Sequence, residues 1–342
     1  MKLLINIFLL LHCCMLQAQT IGGNATYHFL KLPGAPLLSA SGGVNISYQA
    51  KDAALAANNP ALLNEDYHSQ LALNFNNFFS GIKAYQLAGA YYHQKINTIF
   101  GSSIFFIDYG NIPQTDAAGN INGSFRPTDY VMQLSAAKRY LQKWSYGATV
   151  KFIQSNYQQY NSSAMAMDVA VLYTDSANNI TGSVAAKNMG FQIKTYSASE
   201  DLPFDLQIGV TKKLNKAPFA FSFTAQQMHR FNISYNDTSF NNENNLASGS
   251  PFFNKLMLHF VFATHVFIGS NLEVTAGYNY LRRAELNLGS SGNGLNGFSA
   301  GLRAKFKKLQ FQYARAYFQR NTAYNQFGLS ILLNQFIGLG EP

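Results

Sequence analysis

The sequence predicts an all-β fold: a fourteen-stranded antiparallel transmembrane β-barrel of the outer-membrane kind, with an N-terminal plug in its lumen. Three observations predict it. Fourteen stretches carry strand-like sequence, and after the first pair their connections alternate short and long. Tight connections fall at 94–97, 141–143, 175–178, 215–217, 269–270 and 307–308, while 109–126, 157–162, 190–202, 230–254 and 284–296 are longer and polar. That alternation follows if every strand crosses one slab, with small turns on one side and large loops on the other. Second, charged residues make up 12% of the chain and aromatics 14%, against about 25% charged in a soluble domain. No stretch after the N-terminal one approaches the ~20 apolar residues of a membrane helix; the nearest, 256–268, is interrupted by His259, Thr264 and His265. Third, several segments alternate strictly, placing one residue set on each face of a strand.

The N-terminus sets the compartment. Lys2, an apolar run over 3–11 and Leu16-Gln17-Ala18 before Gln19 read as a signal peptide over residues 1–18, the apolar run being too short to span a bilayer. His12 before Cys13 and Cys14 after it do not suit a lipidated cysteine, so both cysteines leave with the signal. The mature chain then holds no thiol for a disulfide or metal. Residues 19–66 follow and do not alternate. They carry Gly22-Gly23, Pro33-Gly34, Gly42-Gly43, Asp52 and an Ala-rich stretch ending in Asn59-Pro60-Ala61-Leu62-Leu63. Glycines permit tight turns and Pro60 biases Asn59 away from helix, so the segment reads as a compact hatch folded into the lumen. Residues 67–342 form the barrel.

Within the barrel, Trp144, Tyr146, Ala148, Val150 and Phe152 oppose Ser145, Gly147, Thr149 and Lys151. Phe204, Leu206, Ile208 and Val210 oppose Asp205, Gln207, Gly209 and Thr211. Leu272, Val274, Ala276 and Tyr278 oppose Glu273, Thr275, Gly277 and Asn279, and Phe298, Ala300, Leu302 and Ala304 oppose Ser299, Gly301 and Arg303. The apolar sets carry aromatics near their ends, as an apolar band with interfacial girdles requires. On this parity Val150 meets lipid and Thr149 the lumen, where an arginine is expected to be milder if space allows. The stretches 99–107 and 256–267 are apolar on both faces, which calls for packing inside the barrel; Gly101 allows a bulge in the first of them. Basic residues cluster beside the short turns (Lys138, Arg139, Lys143; Lys212, Lys213, Lys216; Lys305, Lys307, Lys308), where they would meet anionic lipid headgroups. The net charge of +9 comes with no nucleic-acid motif, so no nucleic-acid partner is expected.

Ile21-Gly22-Gly23, Tyr27-x-Phe29-Leu30-Lys31-Leu32-Pro33, Gly42-Gly43, Asp52 and Asn59-Pro60-Ala61-Leu62-Leu63 together resemble the opening of the PorQ family, outer-membrane components of the Bacteroidetes type IX secretion system. The Asn-Pro-Ala element is similar to one in FadL-like transporters and in the related PorV proteins. Asp108-Tyr109-Gly110, Gly119, Gly123-x-Phe125 and the closing Gln326-x-Gly328-x-x-Ile331-x-Leu333 carry the similarity over most of the mature chain. The resemblance implies a FadL-like barrel with a hatch. It further implies a non-enzymatic place in a cell-surface attachment complex with PorU, PorV and PorZ, holding PorZ-like subunits while secreted cargo is joined to anionic lipopolysaccharide.

A catalytic reading needs a nucleophile and base, or a metal cluster, brought together. The histidines after the signal (His28, His68, His93, His229, His259 and His265) show no ligand spacing and no nucleophile elbow. His259 and His265 share a strand face but lie about 20 Å apart at ~3.3 Å per residue, too far for one metal. A rim site of Ser, His and Asn or Asp, as in a barrel phospholipase, has no spacing to recommend it. The expectation is a non-enzyme without cofactor or metal. The Asn-x-Ser/Thr triplets read as turn chemistry. In the outer loops 109–126 and 230–254, Phe125, Phe231, Tyr235, Phe240, Phe252 and Phe253 are candidate anchors for a protein partner. The reading is therefore an outer-membrane anchor for surface subunits; its alternative is a FadL-like uptake channel for hydrophobic molecules.

Overall fold

The computed structural model describes residues 25–233, 252–286, 294–319 and 322–333. Residues 1–18, Gly22, Gly23, Tyr235 and Phe240 lie outside the described residues. Strands β1 (Gln70–Asn77), β2 (Lys83–His93), β3 (Thr98–Asp108), β6 (Thr128–Tyr140), β7 (Trp144–Tyr157), β8 (Tyr160–Asp175) and β9 (Ile180–Lys194) form one half of a closed barrel. The other half is β10 (Asp205–Lys213), β11 (Phe219–Ala225), β12 (Phe260–Ile268), β13 (Leu272–Asn279), β14 (Phe298–Phe306), β15 (Leu309–Gln319) and β16 (Thr322–Leu332). All fourteen neighbours are antiparallel, and β1 closes on β16 with Gln70 opposite Leu332. A separate hairpin, β4 (Ile112–Thr115) with β5 (Ile121–Phe125), stands in the loop between β3 and β6.

The alternation of chemistry becomes an alternation of environment. In β7, Trp144, Tyr146, Val150 and Phe152 are exposed to the bilayer while Ser145, Thr149 and Lys151 are buried inside. Aromatic pairs ring the wall: Trp144 with Tyr173 at 4.8 Å near the short turns, and Tyr278 with Phe298 at 4.7 Å toward the loops. The lumen is not open. Residues 25–67 descend through it from the loop end, where Ala25 bridges to Asp201, toward the short-turn end, where Tyr67 packs with Ala90, Ile99 and Ala137. Phe29 and Tyr27 cover Phe105, Ile107, Val131 and Ile153, the inner faces of the doubly apolar β3 and its neighbours.

Inward glycines let the hatch come this close. A Cβ on Gly277 would stand 2.3 Å from the Gly42 nitrogen and 2.4 Å from the Ala40 oxygen; one on Gly147 would stand 2.7 Å from the Pro60 carbonyl carbon. Backbone meets backbone there, with no flexible side chain to yield. Gly277→Ala is therefore expected to destabilise the barrel by about 1–3 kcal/mol through overpacking and to expose 37–43 to limited proteolysis; an unchanged unfolding midpoint and digestion pattern would refute that contact.

Three local expectations change. Gly101 makes no bulge, since β3 pairs in unbroken register with both neighbours; its missing Cβ instead admits Leu63, whose Cδ1 would lie 3.1 Å from it. The connection at 157–162 is not long: β7 and β8 join through residues 158–159, with Gln158 in the left-handed region at φ 57°. Polar Ser162 and Asn161 belong to the strand, because β8 is 16 residues long, roughly 50 Å at ~3.3 Å per residue, and outruns an apolar band ~25 Å tall even when tilted. Finally, Phe252–Met257 is helical and the strand starts only at Phe260.

Candidate functional site

Three places gather polar chemistry: the hatch seat, a buried network on β11–β14, and the outer mouth. In the seat, Asp52 caps its own helical turn, accepting from the Ala54 N–H at 3.0 Å, and takes a second bond from Gln312 on β15 at 2.6 Å. Asn59 does the same for the turn Pro60–Leu62, accepting from Ala61 at 2.9 Å, and its amide donates to the Ile46 oxygen and to Ser183 of β9. Pro60 occupies the first helical position, where its missing N–H costs nothing. Gly42 and Gly43 hold φ of +86° and +95°, and Gly42 donates to Ser299 while its oxygen accepts from Asn279. Asp52, Asn59 and Gly42 thus each belong to a local turn and tie it to the wall. Asn59→Ala removes a cap and two further bonds in a site with no exposure, so a loss of about 1–3 kcal/mol is expected, read as a lowered denaturant midpoint.

The second place was not legible in the sequence. Ser222 of β11 stands 3.3 Å from His265 Nε2, and His265 Nδ1 stands 3.1 Å from Glu273. The order resembles a hydrolytic triad, but its surroundings do not. His265 has no exposure, Ser222 5% and Glu273 3%. The Tyr48 ring of the hatch stacks on the imidazole at 3.7 Å, and its hydroxyl donates to Glu273 at 2.7 Å. Arg303 pairs with the other Glu273 oxygen, and Ser222 also shares a hydrogen bond with Thr211. The cluster has no room for an acyl group; it is a polar clasp on the hatch. His259 lies apart, its ring nitrogens against the Gln226 and Phe231 oxygens, so the two histidines share a face without meeting. Among the described residues no group of three or more His, Cys, Asp or Glu is placed to hold a metal.

At the loop end a 610 Å³ cavity opens beside the hatch, lined by Lys31, Arg230, Arg282 and Glu285 among others. Burial pushes the Lys31 ammonium down, opposed by Asp205 and Glu285, and pushes the Glu285 carboxyl up. Beneath it lies a narrow 80 Å³ cavity flanked by Lys151, Lys187, Asp205 and Gln207. Of the candidate partner residues, Phe231 and Phe252 meet at 5.4 Å, and Phe252 and Phe253 are each 69% exposed. Phe125 belongs to a different element, opposite Ile112 on the β4–β5 hairpin.

No protein-family model matches the chain, and no curated protein matches it. Solved structures do. The CymD monoaromatic hydrocarbon channel aligns at a TM-score of 0.56 and 13% identity, over 88% of this chain and 97% of that one. A deltaS2 mutant of the TodX monoaromatic hydrocarbon channel aligns at 0.52 and 13%, over 88% and 98%. A FadL homologue from Pseudomonas aeruginosa aligns at 0.45 and 10%, over 87% and 97%. At these identities the likeness is one of fold alone: a closed barrel of the kind that the CymD and TodX channels share, here with fourteen antiparallel strands.

Proposed function

We propose that this barrel is a non-enzymatic outer-membrane anchor that holds surface subunits of a protein-secretion machine, the type IX system by the resemblance of its hatch motifs. The observation that carries the reading is apolar surface at the loop end that the barrel does not need. Phe252 and Phe253 are each 69% exposed and Ile121 of the hairpin 70%, on connections that the long-loop rule puts outside the cell. Solvent-facing apolar groups at the loop end suit a protein partner, on two separate connections here, the β4–β5 hairpin and the segment before β12; PorZ-, PorU- and PorV-like subunits are the partners the resemblance implies, with lipopolysaccharide and outer-membrane lipid around them.

A second reading has its own support. CymD and TodX are hydrocarbon channels by description, and the comparisons weigh toward an uptake channel for hydrophobic molecules, whereas the hatch motifs weigh toward the anchor. Against a bare hydrocarbon stands the charged lining of both cavities, by Lys31, Arg230 and Glu285 above and Lys151 and Lys187 below. Affinity purification of the tagged chain from native outer membranes in mild detergent separates the two. Stoichiometric recovery of large surface subunits supports the anchor, and recovery alone with apolar molecules bound supports the channel. Deleting 112–125 should release the partner and leave the barrel folded; undiminished partner recovery would remove the hairpin from the docking face.

A further inference from the structure

Above the bilayer, where β7 and β8 rise past the apolar band, a third cavity, a cleft of 470 Å³, opens between the wall and the start of the hatch. Tyr27, Tyr109, Tyr157, Tyr160 and Tyr196 surround it, and Asp129 lies at its floor. Asp129 is 2% exposed. One of its oxygens accepts from Tyr109 at 2.6 Å and Tyr157 at 2.9 Å; the other has no partner in bonding geometry, the Ser155 hydroxyl standing nearby. No ion pair among the described residues includes Asp129, and the neighbouring Arg126 is already spent on Asp108. Burial pushes the Asp129 carboxyl up, opposed by the hydroxyls of Ser155, Tyr109 and Tyr157, and in its charged form so buried a carboxylate ordinarily has a cation beside it. The tyrosines cannot supply one and do not compete as anions: burial, with Asp129 adding to it, drives the Tyr109 hydroxyl up, and burial pushes Tyr196 up to about 12. Tyr27 is held at φ 56°, a costly conformation for an aromatic residue, with its hydroxyl on Ser162.

We infer that this cleft is a binding site for an alkylammonium or guanidinium group, presented on a lysine or arginine side chain of a protein docking at the outer face. Charge complementarity names the occupant. A carboxylate floor gives the cation its counter-charge, and ring faces add cation–π attraction. The protein source rests on the anchor reading; the chemistry of the cleft does not.

The test titrates the full-length barrel in detergent micelles with Nα-acetyl-arginine methylamide and Nα-acetyl-lysine methylamide, with the citrulline analogue as a neutral isostere and methyl glycosides as a sugar control. The expected result is saturable binding of a cationic probe, at least tenfold weaker for citrulline and at least tenfold weaker in Asp129→Asn. Asn keeps an acceptor for the tyrosine hydroxyls, and retained heat-modifiability on gels shows that the barrel still folds. Tyr160→Ala, which touches none of the Asp129 bonds and removes a 54% exposed ring, should weaken binding several-fold and serves if Asp129→Asn fails to fold. No saturable cation binding, citrulline binding equally, glycosides binding in place of cations, or unchanged binding in both variants would each overturn the proposal. Cation binding intact in a barrel that recovers no surface subunit removes the anchor and leaves the cleft. Partner recovery without cation binding removes the cleft and leaves the anchor.

Discussion

Val150→Arg should destabilise the folded barrel by about 2–4 kcal/mol, the cost of a cation near the bilayer midplane on the lipid face, while Val150→Leu should leave it within a few tenths. Val150 is 50% exposed, near the centre of β7, opposite Leu134 on one side and Met167 on the other. Those neighbours are 69% and 43% exposed, so an arginine there finds no acid and must reach for an interface. Urea unfolding in lipid vesicles, followed by the gel shift of the heat-modifiable form, measures the difference. A lipid-facing Val150 is incompatible with equal midpoints for Arg and Leu. The neighbouring Thr149 does not provide the mild control that parity alone suggests. Its hydroxyl shares a 2.8 Å hydrogen bond with Ser135, it is 1% exposed, and the hatch turn at Pro60 lies against the adjacent Gly147. An arginine at Thr149 has no volume to occupy, so both faces of β7 reject it, one for solvation and the other for space.

That contrast marks what the sequence could and could not reveal. Lipid and lumen differ so sharply in polarity that Trp144 to Phe152 announces both its period and its faces. Strand count and most of the turn placement follow from the same signal together with the alternating connection lengths. Inside the lumen the signal fades, because the partners are remote: Ser222 and His265 are 43 residues apart, and Ser39 reaches Tyr324 across 285. No spacing rule connects such pairs. The helix Phe252–Met257 was hidden for another reason, since Phe252-Phe253 and Leu256-Met257 run into the apolar strand β12 and periodicity cannot separate a short helix from the start of a buried strand. The 158–159 turn was hidden because β7 and β8 leave the membrane before they end, so their outer residues are polar on both faces. Asn59-Pro60 was visible as a motif, but only the structure shows that its amide reaches both Ile46 and Ser183.

Lys151→Met should cost more than any single apolar substitution on the wall, about 3–5 kcal/mol, because it strands a buried carboxylate. Lys151 and Asp168 pair at 2.6 Å with side chains 3% and 1% exposed. The pair exists because the sheet is irregular there: the β8–β9 register shifts between Met167 and Val169, and Asn188 sits at φ 58°. Asp168 takes the Asn188 N–H at 2.7 Å, and Lys151 donates to the Asn188 side chain at 2.8 Å. The next residue on β9, Lys187, reaches Asn58 of the hatch at 2.6 Å. The charges therefore repair a bulge at the point where the wall grips the plug. Removing both charges together, Lys151→Met with Asp168→Asn, should recover a large part of the loss, and a double variant no more stable than Lys151→Met would show that the pair carries no coupling. Single-channel conductance adds a functional readout, since the narrow cavity beside Lys151 and Lys187 runs between the hatch and the barrel wall. A plug that serves only as a seal should give a silent wild type and a leaking Lys151→Met. A wild type that already conducts would mean that the hatch opens without losing this contact, which the uptake reading requires and the anchor reading does not.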